Sequence, residues 1–188
     1  MRNQTTWRTA WEQCYDYFGT PDEDFDAEIG ALRLAFYLAS FGMFRASGKT
    51  RQLQLREFSR LAKVAREYAD LRDRKPKYLS KKQADVEEFL ARLRSEISEV
   101  GASPTDTLTT KIALATTACV PAYDRYAVLA LRNRGLIGSP SPRGLAQLYK
   151  LRKRNLPEFG AKYDGNTPFM RCLDIALVTG GEKLWLRC

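Results

Sequence analysis

The stretch from Thr107 to Arg134, TLTTKIALATTACVPAYDRYAVLALRNR, is the most apolar part of a basic chain. Its apolar spacing predicts two helices, of which the first ends near Cys119. Pro121 is expected to open the second helix, because proline fits a first helical turn, where its missing N–H would have no partner. A break between two buried helices holds a short polar cluster rigidly. The residues after it, Asp124 and Arg125 among them, are therefore the first place to look for a functional site.

Helical patterns also dominate the segments on either side of this stretch, and no segment alternates polar and apolar residues as a strand would. Further helices are predicted over residues 5–18, 24–45, 53–71, 80–100, 142–154 and 169–179. At 188 residues the chain fits one domain. The sequence therefore predicts an all-α fold, a single helical domain spanning residues 1–188, built as an orthogonal bundle of about seven or eight helices.

Two of these helices carry specific expectations. The helix predicted from residue 24 to residue 45 is apolar on nearly all sides between Ile29 and Phe44, and a helix of that composition is expected at the centre of the core. In the last helix, Gly180 and Gly181 are expected to end the helical pattern, because glycine is a poor helix former.

The chain contains no histidine, and this excludes Ser-His and Cys-His nucleophile pairs as well as catalysis by imidazole. The four cysteines, Cys14, Cys119, Cys172 and Cys188, lie far apart without a C-x-x-C pair. That spacing argues against a structural zinc site, so the cysteines are expected to be buried as small apolar residues. No metal and no organic cofactor is expected.

The chain carries 31 basic and 22 acidic residues, which gives a net charge of +9. Such an excess favours polyanionic partners, with nucleic acid, either DNA or RNA, as the first expectation. A protein partner remains open. No apolar run approaches the roughly 20 residues of a membrane span, and the N-terminus lacks the apolar region of a signal peptide. The chain is therefore expected to be soluble and cytoplasmic, with no membrane partner.

Three basic segments are the candidate nucleic-acid contacts. The first, from Arg51 to Arg66, is the basic outer face predicted for the helix over residues 53–71. The second is the proline-broken loop predicted from Arg72 to Tyr78 together with the lysines up to Lys82, and the third, which acidic residues dilute least, is the basic run that ends the helix starting at Pro142. Their cations would contact phosphates, and a tyrosine would stack on a base. The candidate residues are Lys77, Tyr78, Lys81, Lys82, Lys150, Arg152, Lys153 and Arg154. The alternative is a set of solvated helix faces, since acidic residues dilute the first two segments, namely Glu57, Glu67, Asp70 and Asp73.

Two stretches resemble those of a small family of uncharacterised bacterial all-helical proteins. One is FYLASFGMFR at residues 36–45, and the other joins TKI at residues 110–112 to CVPAYDRY at residues 119–126. The resemblance brings no established activity. It implies an accessory role in a mobile-element or defence context.

The central stretch also resembles, more faintly, the core of the helix-hairpin-helix DNA glycosylases. A helix that bears Lys111 is followed by an apolar turn and then by Pro121, Asp124 and Val128. The resemblance implies that Asp124 supports cleavage of a glycosidic bond and that Lys111 assists. The segment from Thr116 to Cys119 stands where those enzymes have a glycine-rich hairpin, so the phosphate-binding turn of that family is absent here.

Asp124 and the polar residues around it allow two interpretations. The residues concerned, besides Lys111, are Arg33, Arg45, Tyr123, Arg125 and Tyr126. In the functional interpretation, nearby cations set the pKa of Asp124, and the tyrosines line a pocket beside it. In the structural interpretation, which is preferred, the same groups form an ion-pair and capping network, with Arg33 and Arg45 as partners of the aspartate.

Taken together, these patterns predict a basic helical nucleic-acid-binding accessory protein that is not catalytic. The first alternative is a glycosylase-like DNA-processing enzyme that uses Asp124 and Lys111. The second alternative is a protein-interaction module whose positive charge is incidental. Salt-sensitive binding to nucleic acid would separate the first two hypotheses from the third.

Overall fold

A computed structural model of the protein describes residues 4–44, 49–72, 75–151, 155, 157 and 167–185, and within these ranges it is all-α. The predicted fold class is confirmed. The described residues form nine α-helices, where seven or eight were expected. They are α1 (Gln4–Tyr17), α2 (Ala27–Ser40), α3 (Leu55–Glu67), α4 (Pro76–Lys81), α5 (Gln83–Glu99), α6 (Asp106–Thr116), α7 (Arg125–Arg132), α8 (Pro142–Leu148) and α9 (Phe169–Trp185). No described helix is both long and apolar enough to cross a membrane.

Helix α6 lies at the centre of the core, and every residue from 108 to 123 is buried. Helices α1, α2, α3 and α5 all pack against it. Two of its buried threonines satisfy their hydroxyls by donating to carbonyl oxygens one turn back, Thr110 to Asp106 and Thr116 to Ile112. A hydrogen bond also joins α1 to α6, because Trp11 Nε1 donates to the Leu114 carbonyl at 3.1 Å. The stretch chosen from sequence is therefore the structural centre of the described chain.

The break after α6 differs from its prediction. Helix α6 ends at Thr116, not near Cys119, and α7 begins at Arg125, so Pro121 lies in a non-helical segment and opens no helix. Asp124 is the N-cap of α7, because its carboxylate accepts the first free backbone N–H groups of that helix. The N–H groups of the intervening segment bond to side chains of other helices, and those bonds hold it extended.

Helix α2 is shorter and less enclosed than predicted. It ends at Ser40 instead of residue 45, and Gly42 follows with a φ of 73°, a left-handed conformation that suits glycine. One side of α2 packs closely on α3 at Gly30. If this glycine carried a Cβ atom, that atom would lie 3.4 Å from the Cβ of Ala62 on α3. The opposite side is open to solvent, so the expectation of a helix buried on all sides is wrong.

Three further boundaries depart from the sequence patterns. Helix α9 runs through Gly180 and Gly181 to Trp185, so the glycine pair does not end it. Helix α8 starts at Pro142 as predicted, with Ser141 as its N-cap, but it ends at Leu148. Helix α4 forms inside the segment predicted as a loop, because Pro76 occupies its first turn, where a proline is tolerated.

Candidate functional site

The residues at the break form a buried ion pair between α6 and the start of α7. Asp124 Oδ1 accepts hydrogen bonds from the backbone N–H groups of Tyr126 at 3.1 Å and Ala127 at 3.0 Å. Asp124 Oδ2 lies 3.5 Å from Lys111 Nζ, and the lysine side chain is only 5% exposed. The Lys111 ammonium also lies 4.4 Å from the centre of the Phe41 ring, which attracts it through the ring's electron-rich face. The structure thus brings together the two residues that the sequence singled out.

A second buried ion pair lies on α9. Arg171 donates to Asp174 Oδ2 at 2.7 Å, and both side chains are less than a tenth exposed. Asp174 Oδ1 accepts the backbone N–H of Ala122 at 3.0 Å, so the carboxylate fastens α9 to the segment between α6 and α7. Burial raises the pKa of Asp174, and the charges of Arg171 and Lys111 oppose that rise. The Arg171 guanidinium lies 5.0 Å from the Trp11 ring, which adds α1 to the contact.

Tyr37 of α2 completes this group of side chains. Its hydroxyl is buried and makes no hydrogen bond with any described residue. Burial raises the pKa of Tyr37, while the charge of Arg171 lowers it and the charges of Asp174 and Asp124 add to the rise. We call Lys111, Asp124, Arg171, Asp174 and Tyr37 the buried quintet. Its members come from α2, α6, α9 and the N-cap of α7, and the ion pairs and hydrogen bonds among them join α9 and the N-cap of α7 to α6 and to the segment after it.

The other residues predicted for this network are placed differently. Arg33 does not reach Asp124, because its side chain points to solvent and lies 3.4 Å from Gln13 Oε1. Arg125 is exposed and contacts its neighbour Tyr126, whose hydroxyl it meets at 2.6 Å. Tyr123 is buried, and burial raises its pKa. Arg45 lies outside the described residues. The cations that meet the two carboxylates are therefore Lys111 and Arg171, not Arg33.

Sequence reasoning missed three members of the buried quintet, Arg171, Asp174 and Tyr37. A signal was present, because Arg171 and Asp174 stand three residues apart in an otherwise apolar helix, and that spacing places both on one face. Opposite charges so placed inside an apolar pattern indicate a buried pair. Nothing in the sequence indicated that this pair would meet Ala122, which is 52 positions from Asp174 along the chain.

The bonding of the two carboxylates limits what they can do chemically. Asp174 is buried and is bonded at both oxygens. Asp124 is a fifth exposed, and one of its oxygens is held by two N–H groups. Each carboxylate oxygen can accept two hydrogen bonds, and of the two carboxylates only Asp124 is exposed enough for a partner from solvent to reach it. In this arrangement the buried quintet has a structural role, because its bonds hold α7 and α9 against α6.

A second candidate site is formed where α4 packs against α8, which joins parts of the chain about 60 residues apart in sequence. The Gln83 side chain donates to the Pro142 carbonyl at 2.8 Å and fixes the start of α5 against the start of α8. Exposed cations lie on these two contacting helices and at their ends, and we call them the α4–α8 basic face. Its described members are Lys75, Lys77, Lys81, Arg143 and Lys150.

Only some of the residues predicted to contact nucleic acid are exposed on this face. Lys77, Lys81 and Lys150 are exposed, and Tyr78 is 36% exposed. Lys82 is engaged by Asp85 at 2.7 Å, and this hydrogen bond raises the pKa of the lysine. Lys150 follows α8 in a turn and is not part of the helix. Arg152, Lys153 and Arg154 lie outside the described residues.

Two arginines of the first basic segments, Arg66 of α3 and Arg72 of the turn after it, serve the fold instead. Arg66 donates to the Phe18 carbonyl at 2.6 Å and pairs with Asp22 at 2.7 Å. Arg72 donates to the Tyr15 carbonyl, and its guanidinium lies 3.4 Å from the centre of the Tyr15 ring. Their guanidinium groups are committed to carbonyl oxygens. The outer face predicted for α3 is exposed at Arg56, Arg60 and Lys63, and both of these arginines pair with carboxylates.

The three described cysteines, Cys14, Cys119 and Cys172, are buried, as expected. Burial raises the pKa of Cys119 to about 12, so its thiol is protonated and inert at neutral pH. Cys188 lies outside the described residues.

No protein-family model matches this chain, and neither the curated proteins nor the solved structures include one with significant similarity to it.

Proposed function

We propose that this protein binds the phosphate backbone of a nucleic acid through the α4–α8 basic face. The observation that carries the proposal is the contact between α4 and α8, which brings two basic segments that are distant in sequence, and whose cations are exposed, next to each other. Lys77, Lys81 and Lys150 form no ion pair with a described residue, whereas most arginines of α3 do. Cations without counterions concentrate positive potential at the surface, and a polyanion relieves it by releasing its own counterions.

The geometry of the face suits a backbone more than a base-specific contact. Its cations lie on short helices and at their ends, and no described helix presents a long basic stripe for a groove. Tyr78 stands between Lys77 and Lys81 on α4 with part of its ring exposed. A tyrosine flanked by lysines is the arrangement that stacks on an unpaired base while the cations hold the phosphates. The proposal therefore favours single-stranded over double-stranded nucleic acid, as an accessory role without catalysis.

The decisive experiment measures binding to labelled single- and double-stranded DNA and RNA across a salt series. The test variant is Lys77→Ala/Lys81→Ala/Lys150→Ala. The matched control, Arg51→Ala/Lys63→Ala/Arg92→Ala, removes the same charge from exposed positions elsewhere on the chain. The slope of log affinity against log salt should flatten by about 2 to 3 in the test variant and by much less in the control. Equal losses in both, or no binding at low salt, would contradict the proposal.

One observation favours the catalytic alternative, namely the 3.5 Å contact between Lys111 Nζ and Asp124 Oδ2. It joins the two residues that the glycosylase resemblance implicates. Release of bases from a DNA substrate, lost in Asp124→Asn while binding persists, would establish that alternative. Absence of base release in the wild-type protein would leave the ion pair with its structural role alone. If no nucleic acid binds, the interaction-module hypothesis becomes the one to pursue.

A further inference from the structure

The solvent side of α2 is a stripe of large apolar side chains. Ile29 is 45% exposed, Leu32 is 58% exposed and Phe36 is 54% exposed, and the small Ala39 continues the stripe one turn further. Soluble proteins scatter single apolar residues over their surface, but a contiguous row on one helix face indicates an interaction site. These are half of the exposed large apolar residues among those described.

The stripe lies opposite the core. At 100° per residue, the buried positions of α2 cluster on one side of the helix, and the stripe falls roughly 180° away from them. The buried positions are Gly30, Ala31, Leu34, Tyr37 and Leu38. Helices α1 and α3, which pack on α2, therefore lie behind the stripe, and another helix can approach it without displacing them.

The spacing of the stripe is that of a coiled-coil seam. If Ile29 is an a position, Leu32 is d, Phe36 is the next a and Ala39 the next d. A β-branched residue at a with leucine at d is the combination that favours two parallel strands. We propose that α2 pairs in parallel with α2 of a second copy of this chain, which makes the protein a weak homodimer.

Two exposed charges beside the stripe support a second copy in this orientation. Glu28 occupies the g position, and Arg33 occupies the e position five residues later. In a parallel pair, a g residue faces the e residue five positions further along the other helix, so each Glu28 meets Arg33 of the second copy, twice by symmetry. In an antiparallel pair centred on the stripe, the e positions face each other, and the two Arg33 side chains would repel. The charges therefore select the parallel arrangement.

The seam is short, because α2 has 14 residues and offers two a and two d positions. An interface of that size falls in the class of weak and transient associations. Dimerisation is expected with a dissociation constant on the order of 10–100 µM, so that it depends on concentration. It involves none of the cations of the α4–α8 basic face and does not rest on the proposed function.

The first test is sedimentation equilibrium of the full chain over a concentration series up to several hundred micromolar, a range set by the expected affinity. The mass is expected to rise from that of the 21.4 kDa monomer towards twice that value. Leu32→Glu should hold the protein monomeric throughout, and Phe36→Asp should do the same. The matched control is Ile175→Glu, which places the same charge on an exposed apolar position of α9 and should leave the dimer intact. A wild-type mass that stays monomeric, or a dimer that Leu32→Glu leaves intact, would overturn the proposal.

The second test fixes orientation. Glu28→Arg alone should weaken the dimer at least tenfold, because it faces Arg33 of the second copy, and Arg33→Glu alone should do the same through Glu28. A mixture of the two variants should restore association, since both cross-helix pairs then join opposite charges. Circular dichroism melts of each variant confirm that the monomer is folded. A mixture no stronger than either variant alone would overturn the parallel pairing.

Discussion

The buried quintet and the α4–α8 basic face use the same kinds of charged side chain in opposite ways. In the quintet, each carboxylate has a cation within 3.5 Å and at least one backbone N–H, and every side chain is buried except that of Asp124, which is a fifth exposed. On the basic face, the lysines project into water, and Lys77, Lys81 and Lys150 have no carboxylate partner among the described residues.

The difference follows from the dielectric around each group. A buried charge is tolerated only with a partner of opposite charge. Removing one member of the pair lowers the free energy of unfolding, because the other charge stays buried without compensation for its lost hydration. An exposed charge interacts weakly with its neighbours, because water and salt screen it. Charges in the quintet should therefore govern stability, whereas charges on the basic face should govern the potential that a ligand meets.

The largest effect is expected for Asp174→Ala. The change leaves the Arg171 guanidinium buried without a counterion and the Ala122 N–H without an acceptor. Breaking a buried pair in this way costs about 3–5 kcal/mol of the free energy of unfolding, which chemical denaturation measures. The matched control is Asp106→Ala, which removes an aspartate paired with Arg94 at the surface and should cost about 1 kcal/mol or less. Equal losses in the two variants would show that Asp174 is not a fastening.

A smaller loss is expected for Asp124→Ala, and the chain offers a matched control in Asp26. Both aspartates cap a helix by accepting two backbone N–H groups, but only Asp124 also faces a buried lysine. Asp26→Ala should cost about 1 kcal/mol, the typical value of an N-cap. Asp124→Ala should cost about 2–3 kcal/mol, because Lys111 loses its counterion as well. If thermal and denaturant unfolding give the same loss for both variants, the Lys111 pair contributes nothing to stability.

The pH dependence of stability isolates the burial of Asp174. Because burial raises the pKa of this carboxyl above its ordinary value of 3.8, the folded protein holds the proton more tightly than the unfolded chain does. The stability that the group contributes is fully present below pH 3.8 and is lost as the pH rises through the raised pKa of the folded state.

The comparison to make is wild type against Asp174→Asn, which has no proton to lose at this position. From about pH 4 upward, the wild-type free energy of unfolding should fall relative to that of the variant, by at most about 1.4 kcal/mol per pH unit. A difference that stays flat, or that grows in favour of the wild type, would mean that the ion pair with Arg171 outweighs the effect of burial.

The fold was predictable to the extent that it depends on local pattern. Caps and apolar spacing located α6, α8 and α9 and identified Lys111 and Asp124, because those signals lie within one or two turns of the chain. The prediction that Pro121 opens a helix was wrong because contacts with distant parts of the chain decide the conformation there. The side chains of Thr110 and Asp174 bond the N–H groups of Tyr123 and Ala122, and these contacts hold the segment extended where its proline would have suited a helix.

The errors on α2 and on Arg33 have a common origin. An apolar helix face packs equally well against the chain's own core and against a partner, and the sequence does not distinguish the two. The pattern from Ile29 to Phe36 thus predicted burial on all sides where the fold leaves a stripe exposed. Arg33, at the edge of that stripe, was assigned to the core network for the same reason. Whether such a face is buried depends on packing between distant segments, and the local spacing of apolar residues does not predict that packing.

The smallest effect on stability is expected for Lys77→Ala/Lys81→Ala, and its smallness is the informative result. Both lysines are exposed and unpaired among the described residues, so the free energy of unfolding should change by no more than about 0.5 kcal/mol. Affinity for nucleic acid should fall at low salt and converge with that of the wild type at high salt, since only a screened phosphate contact is lost. A variant that loses stability in step with binding would place these lysines among the structural charges and remove the distinction between the two regions.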